Sequence, residues 1–210
     1  MSTAMTGGGL DHDSVLADAR RWIADLAAAL TDLPDQLDEN FAHAVRAILD
    51  CRGHVVVSGA GTSAAIAARL AHLLTVCGAP AFPLPPSDAS HGGAAAAGPD
   101  DLLIAISKGG ESDELNDFVR VASGRGVRVI ALTQDLEASL AQLVDVPLTY
   151  RVPDHLDGEG FIALGSSIAT AAVSDALCAA VLHERGFDTQ QLATIHPGGA
   201  VGKALRDVQA

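Results

Sequence analysis

The sequence predicts an α/β fold in which a doubly wound, five-stranded parallel sheet forms the middle of three layers and N-terminal helices precede it. Short apolar runs alternate with stretches of helical periodicity along most of the chain. The connections between them are short, which is typical of βαβ units whose parallel sheet is covered on both faces. Two of the strand-to-helix turns carry glycine and hydroxyl residues, and open α/β sheets bind ligands at such turns.

Residues 1–10 are small, polar and glycine-rich. They lack the basic start and the continuous apolar core of a signal peptide, so we expect a cytoplasmic protein. We expect these residues to form a disordered tail and residues 11–210 to form a single domain. Within that domain, helices are expected in residues 11–51 and the α/β core in residues 52–206.

Two helices are predicted before the sheet, at residues 13–30 and 33–49, because their apolar residues recur at helical spacing and Pro34 separates them. Such a helix pair is an alternative candidate for DNA binding. Acidic residues outnumber basic ones here, however, and a recognition helix needs basic residues that face phosphates. We therefore expect the pair to pack on the domain or on a second subunit.

Five strands are predicted, at residues 54–58, 81–84, 102–106, 127–132 and 146–150. A helix follows the first strand and ends near Val76, and the spacing of Leu115, Phe118 and Val119 predicts another helix after the third strand. The connection from Pro85 to Pro99 is longer than the others. Loops of that length inside a domain are commonly functional or disordered.

The stretch from Phe161 to Arg185 is long and apolar enough to cross a membrane. Asp175 near its middle makes insertion costly, and the abundant alanine and glycine suit close packing between helices. We expect a buried helix that ends at Gly186, with a subunit interface as one place for it. No membrane partner is expected.

Two turns are predicted to bind an anion. Gly59-Ala60-Gly61-Thr62-Ser63 follows the first strand, and Ser107-Lys108-Gly109-Gly110-Glu111-Ser112 follows the third. The first amides of a helix lack partners and carry the positive end of its dipole, so a phosphate satisfies both. The alternative for the second turn is an ordinary turn with Ser112 as N-cap. A dinucleotide is not expected, because Ala64 stands where the Gly-x-Gly-x-x-Gly pattern needs glycine.

The chain of 210 residues has a formal net charge of -13 and 49% apolar residues. The acidic excess argues against nucleic acid and anionic membranes as partners. Since charges are screened beyond about 8 Å, loop amides, Lys108 and Arg69 are expected to set the field at an anion site. The three cysteines have none of the spacings of metal sites, so no metal is expected. No cofactor is expected either.

Together these motifs resemble the sugar isomerase (SIS) domain and, within it, the arabinose-5-phosphate isomerase branch. The resemblance covers roughly residues 35–206, and it also rests on Ser90-His91-Gly92 and on His196-Pro197-Gly198-Gly199. It implies a flavodoxin-like sheet, a phosphosugar substrate, and a homodimer or homotetramer with shared active sites. Many relatives continue into paired CBS domains, and we expect a form without them.

Aldose-ketose isomerisation moves one proton between neighbouring carbons and another between oxygens, so it needs a base and a second proton-transfer group. The resemblance implies that Glu111 and His196 serve in these roles, and burial would raise the carboxylate pKa to suit them. A further family glutamate lies in the segment 153–160. Glu159 or Asp157 takes its place here, and Glu159 ranks first.

The resemblance also implies a catalytic role for His91, although a solvated loop histidine is an equal alternative. Substrate and phosphate contacts are implied for Gly61, Thr62, Ser63, Ser90, Ser107, Lys108, Gly109 and Ser112. Relatives carry lysine at the position of Thr62 and asparagine at the position of Lys108. Lys108 either restores the missing charge or marks a different substrate.

The sequence thus predicts a metal-independent phosphosugar aldose-ketose isomerase that acts by enediol proton transfer. Two alternatives stay open. One is a non-catalytic phosphosugar-binding protein, and the other is an SIS isomerase or lyase that acts on another phosphorylated ketose or sugar acid.

Overall fold

The computed structural model describes residues 10–186, 198–200 and 202–203. Residues 1–9 of the predicted tail and His196 lie outside the described residues. The elements follow in the order α1 (His12–Thr31), α2 (Glu39–Asp50), β1 (Val55–Gly59), α3 (Thr62–Val76), β2 (Ala81–Pro83), α4 (Pro86–Ser90), β3 (Leu102–Ile106), α5 (Asp113–Gly124), β4 (Arg128–Thr133), α6 (Ser139–Gln142), β5 (Val146–Thr149) and α7 (Gly165–Arg185). Short 3₁₀ turns lie at Pro34–Gln36, Gly93–Ala96 and Asp154–Asp157.

The five strands form one parallel sheet in the order β2-β1-β3-β4-β5. This is the flavodoxin-like order of doubly wound folds, so the predicted α/β class is confirmed. Central strands β1 and β3 are buried along their whole length, because helices cover both faces of the sheet. Continuous apolar runs are what such strands require.

Alternate side chains of each strand enter two separate cores. On one face Val55, Val57 and Ile104 pack against α1, α2, α3 and α7. On the other face Val56 and Leu103 pack against α4, α5 and α6. The two N-terminal helices therefore belong to the first core, as the packing alternative predicted.

The chain leaves β1 and β3 in opposite directions. From β1 it passes through α3 to β2 at one edge of the sheet, and from β3 it passes through α5 to β4 on the other side. The carboxyl ends of these two neighbouring strands are therefore the topological switch point, where open α/β sheets bind their ligands. Both of the turns predicted to bind an anion lie there.

The long predicted loop at residues 85–99 is more regular than expected. Pro86 begins α4, since proline suits the first position of a helix, and the 3₁₀ turn at Gly93–Ala96 follows. Ala89 and Ala94 are buried against the core that contains α5. The small alanine side chains let this connection pack closely against α5.

Helix α7 is long and apolar enough to span a membrane by length and composition, and half of its most apolar 18-residue window is buried within the fold. Its buried face packs on α3 and α2, and Asp175 pairs with Arg69 of α3 in a bidentate arrangement. The helix begins at Gly165 rather than at the predicted Phe161, which is 90% exposed. Residues 158–160 have left-handed backbone conformations and form a turn, so the helix begins only after them.

Candidate functional site

The turn after β1 brings the start of α3 close to the end of the strand. A Cβ at Gly59 would lie 2.9 Å from the Ser63 Cβ, so this approach requires glycine. Gly61 is the N-cap with φ 56°, and no side chain caps the helix. Thr62 is exposed and Ser63 half-buried, so their hydroxyls are available to an anion at the positive end of the helix. The amides of Ser63 and Ala64 donate to the carbonyls of Ala60 and Gly61, at 3.1 and 3.0 Å.

The turn after β3 is held by hydrogen bonds to the end of β4 and the residue after it. The carbonyl of Lys108 accepts hydrogen bonds from the Gln134 amide at 2.9 Å and from the Thr133 hydroxyl at 3.1 Å. Within the turn, the Gly110 amide donates to Ser107 Oγ at 3.1 Å. Gly110 itself is buried and has φ 69°. The turn is therefore preformed, while Gly109 at its tip is exposed.

Helix α5 begins after this turn without a side-chain cap. Ser112 occupies the N-cap position, but its hydroxyl makes no capping bond. By contrast, Asp11 caps α1 and Asp38 caps α2 through their carboxylates. An N-cap serine normally bonds an amide of the first turn. The simple capping alternative therefore does not account for Ser112, and a second uncapped helix start lies at the switch point.

Glu111 is exposed and its carboxylate is fixed by Ser139 at the start of α6. The Ser139 amide donates to Oε1 at 2.8 Å and the Ser139 hydroxyl donates to Oε2 at 2.7 Å. These bonds, the backbone one first, hold the pKa of Glu111 below its ordinary value. The expectation that burial raises this pKa is wrong for the free protein, because the carboxylate is solvated and hydrogen-bonded.

Lys108 extends toward the segment before α7. Its Nζ lies 2.6 Å from Asp157 Oδ2 and donates to the Gly160 carbonyl at 3.2 Å. The segment 153–160, in which a family glutamate is expected, therefore lies against the turn after β3. Asp157 is buried, whereas Glu159 is exposed with φ 57°. The ranking of Glu159 ahead of Asp157 for catalysis stays a prediction.

Burial disfavours the charged form of Asp157, but the Lys108 ammonium and the hydrogen bond from the Ser166 amide outweigh it. They hold the pKa of Asp157 below its ordinary value. Lys108 is paired with Asp157, and Arg69 forms an exposed pair with Asp175. The expectation that these two cations set the field at the anion site stays a prediction.

Ser90 and His91 lie at the end of α4 and are exposed. The Ser90 hydroxyl donates to the Pro86 carbonyl at 3.0 Å, within its own helix. In the part of the chain that the structure describes, no hydrogen bond links either residue to the two turns. Their roles stay predictions, and so does that of His196, which lies outside the described residues.

Two residues that support the site were not singled out in the sequence. Ser139 holds Glu111, and buried Asn116 donates from Nδ2 to the Gly110 carbonyl at 3.0 Å. Asn116 lies on the buried face of α5, and a polar residue beside Leu115 on that face is a signal that could have been used. The sequence carries no comparable signal for Ser139.

Among residues 10–186, 198–200 and 202–203, no cluster of three or more histidine, cysteine or acidic side chains is placed to hold a metal ion.

The sequence of this chain is similar to those of known proteins. The SIS domain profile matches residues 48–180. Arabinose 5-phosphate isomerase KpsF of Escherichia coli is 33% identical over 192 residues, which make up 91% of this chain and 59% of that relative. The chain thus spans somewhat more than half the length of this curated relative.

Two solved structures share the fold. A protein of Listeria monocytogenes superposes with a TM-score of 0.86 and 30% identity, over 90% of this chain and 100% of the other. A protein of E. coli CFT073 in complex with arabinose 5-phosphate superposes with a TM-score of 0.84 and 26% identity, over the same shares of the two chains. Since the family profile covers more than half of the sequence, this chain belongs to the SIS domain family.

Proposed function

We propose that this chain is a phosphosugar aldose-ketose isomerase and that arabinose 5-phosphate is its substrate. The observation that carries the proposal is the pair of uncapped helix starts, of α3 and α5, side by side at the switch point. The positive ends of two helix dipoles, with hydroxyls beside them, suit a phosphate dianion. The relative KpsF, which is an arabinose 5-phosphate isomerase, and the E. coli CFT073 complex support the choice of sugar.

In this proposal the phosphate lies on the turns after β1 and β3, where Gly61, Thr62, Ser63, Ser107 and Ser112 donate to its oxygens. Glu111 lies within the second turn and serves as the base that moves a proton between C1 and C2 of the sugar. His196 relays the proton between the two oxygens. Glu159 and His91 complete the acid/base set from the neighbouring segments.

We also propose a cytoplasmic homodimer or homotetramer. An apolar surface supports the oligomer: Val15, Leu16 and Ile23 of α1 are exposed, and so is the segment before α7 at Phe161 and Ile162. Exposed apolar side chains that lie together on one surface commonly mark a contact with a partner. Sedimentation of the purified protein tests the assembly, and a monomer at micromolar concentration would contradict it.

The activity is tested by incubating the protein with arabinose 5-phosphate in D₂O and recording NMR spectra. Enolisation exchanges the proton at C2 for deuterium and forms ribulose 5-phosphate. A panel of four- to six-carbon phosphosugars, run in the same way, separates this substrate from other phosphorylated ketoses. Binding without exchange for every sugar would exclude the isomerase.

That last outcome would favour the second candidate, a non-catalytic phosphosugar-binding protein. One observation supports it. Relatives carry lysine where this chain has Thr62, and the structure commits Lys108, the lysine of the neighbouring turn, to Asp157. The site therefore lacks a free ammonium on these two turns, while the phosphate donors remain.

Removal of a turn hydroxyl should weaken phosphosugar binding. We expect Ser63→Ala and Ser112→Ala each to raise the dissociation constant by about 10- to 150-fold, since a hydrogen bond to a charged oxygen is worth about 1.5 to 3 kcal/mol. Calorimetric titration with arabinose 5-phosphate measures the change. Ser123→Ala, an exposed serine at the other end of α5, is the matched control. Wild-type affinity in both site variants would remove the phosphate from these turns.

A further inference from the structure

The ion pair between Lys108 and Asp157 joins two parts of the site. The side chain of Asp157 is 1% exposed and that of Lys108 is 28% exposed. Asp157 Oδ2 faces the ammonium, while Oδ1 accepts hydrogen bonds from the amides of Leu164 and Ser166, each at 2.9 Å. One carboxylate therefore links the turn after β3 to the first residues of α7.

Asp157 supplies the cap that α7 does not have locally. Leu164 is the N-cap residue and its side chain cannot accept a hydrogen bond, so the carboxylate of Asp157 meets the amides at the positive end of the helix instead. At α3 and α5 no side chain does this. The start of α7 is thus already occupied by an anion from the protein itself.

Lys108 also spans a strained turn. Gly158, Glu159 and Gly160 all have positive φ, of 55°, 57° and 87°. A glutamate rarely adopts this conformation unless its surroundings impose it. Lys108 contacts Asp157 on one side of the turn and the Gly160 carbonyl on the other. The ammonium therefore holds both ends of the turn that carries Glu159.

The Lys108 ammonium has three donors, and Asp157 and the Gly160 carbonyl engage two of them. A phosphate that made Lys108 its main partner would separate the lysine from Asp157. The carboxylate would then be left buried without a counter-ion, which is strongly unfavourable. Exposed ion pairs carry no such penalty, since water solvates each partner once they part. Burial of Asp157 therefore favours the intact pair even when an anion is nearby.

We propose that Lys108 is a positioning residue, which acts through Asp157 to hold the turn 158–160 and the start of α7 against the turn after β3. It contacts no phosphate, and it sets where the turn with Glu159 lies relative to the sugar. The inference rests on the proposed function only for the identity of that sugar.

A double-mutant cycle with Lys108→Met and Asp157→Asn tests the link. Methionine keeps the length of lysine without its charge, and asparagine keeps an oxygen for the amides of Leu164 and Ser166. Lys108→Met alone leaves a buried carboxylate unpaired, so we expect it to lower the thermal midpoint, and adding Asp157→Asn should raise the midpoint again. The amides of Leu164 and Ser166 should exchange with solvent about tenfold faster or more in Lys108→Met. Independent, additive effects of the two substitutions would overturn the link.

Activity measurements on the same variants distinguish a positioning role of the ion pair from a purely stabilising one. At a temperature where all variants are folded, we expect each single variant and the double variant to lose about 10- to 100-fold in kcat/KM, mainly in kcat, because a displaced turn misplaces groups around the sugar. The double variant should lose no more than the worse single one. Full activity in the folded double variant would show that the pair only stabilises the fold.

Binding of inorganic phosphate, followed by ³¹P NMR, separates the proposal from direct phosphate contact. We expect the affinity to change less than about twofold in Lys108→Met, since no ligand is removed. A tenfold loss in this variant, with wild-type behaviour in Asp157→Asn, would make Lys108 a phosphate ligand and overturn the proposal.

The exposed pair Arg120 and Asp117 on α5, 2.7 Å apart, gives the matched control cycle. Arg120→Met and Asp117→Asn should leave stability and exchange at Leu164 and Ser166 unchanged. Unfolding and hydrogen exchange need no ligand. If the wild-type protein neither binds nor isomerises phosphosugars, the proposed function fails, and these two measurements still decide whether Lys108 and Asp157 are coupled.

Discussion

Glu111→Gln should lower the turnover of arabinose 5-phosphate by about 10²- to 10⁴-fold, the usual contribution of a general base. Glutamine keeps the size of the side chain and one oxygen for the Ser139 amide, so phosphosugar affinity should change little. Steady-state kinetics and a calorimetric titration together measure both quantities. Glu114→Gln, at an exposed position in the first turn of α5, is the control and should keep wild-type turnover.

The pH dependence of kcat/KM gives this prediction a second readout. Glu111 must be ionised to act as a base, and Ser139 holds its pKa below the ordinary value, so the activity should persist on the acid side until the pH falls through that lowered pKa. Ser139→Ala removes the hydroxyl bond and leaves the amide bond. We expect its acid limb to lie at higher pH than that of the wild type. An acid limb that does not move would mean that another group controls it.

A low pKa also bears on the choice between catalyst and sensor. A carboxylate that is already well stabilised is a weak base, and a base works best with a pKa near the working pH. The free protein, however, has the carboxylate in water. A bound phosphosugar brings negative charge and excludes solvent there, and both effects raise a carboxylate pKa. Turnover by wild type together with its loss in Glu111→Gln would assign the residue to catalysis.

The fold could be predicted because its signals are local. Strands such as Leu102–Ile106 are continuous apolar runs, and helices such as α5 repeat their apolar residues at helical spacing. The start of α7 was misplaced by four residues. Phe161 and Ile162 continue the apolar pattern, but the left-handed turn before them and the cap from Asp157 fix the helix start at Gly165.

The candidate site was predicted as two turns but not as a network of contacts. The turns are visible in sequence because glycine and hydroxyl residues follow buried strands. The partners of the charged side chains are not, because they come from distant parts of the chain: Ser139 is 28 positions from Glu111. The pairing of each cation depends on such contacts, and this is why the sequence did not predict the ion pairs of Lys108 with Asp157 and of Arg69 with Asp175.

Gly110→Ala should be the most damaging single substitution in the turn after β3. The residue has φ 69°, and an added Cβ would lie 2.6 Å from the Ala138 Cβ and 3.3 Å from Thr133 Oγ1. Left-handed backbone at a non-glycine residue costs about 1 to 3 kcal/mol, and overpacking a filled site adds about 1 to 3 kcal/mol. The expected fall in the thermal midpoint is roughly 5 to 20 °C for a chain of this size.

The same substitution should also impair phosphosugar binding, because Gly110 connects the turn to its supports. Its amide donates to Ser107 Oγ, and its carbonyl accepts from Asn116 Nδ2 and from the Leu140 amide, each at 3.0 Å. Gly109→Ala is the matched control for stability. Gly109 is exposed, its φ is not left-handed, and an added Cβ meets nothing within 4 Å. Scanning calorimetry of the two variants decides the matter: equal midpoints would mean that the turn does not hold Gly110 in the left-handed conformation, and the preformed phosphate site would lose its structural basis.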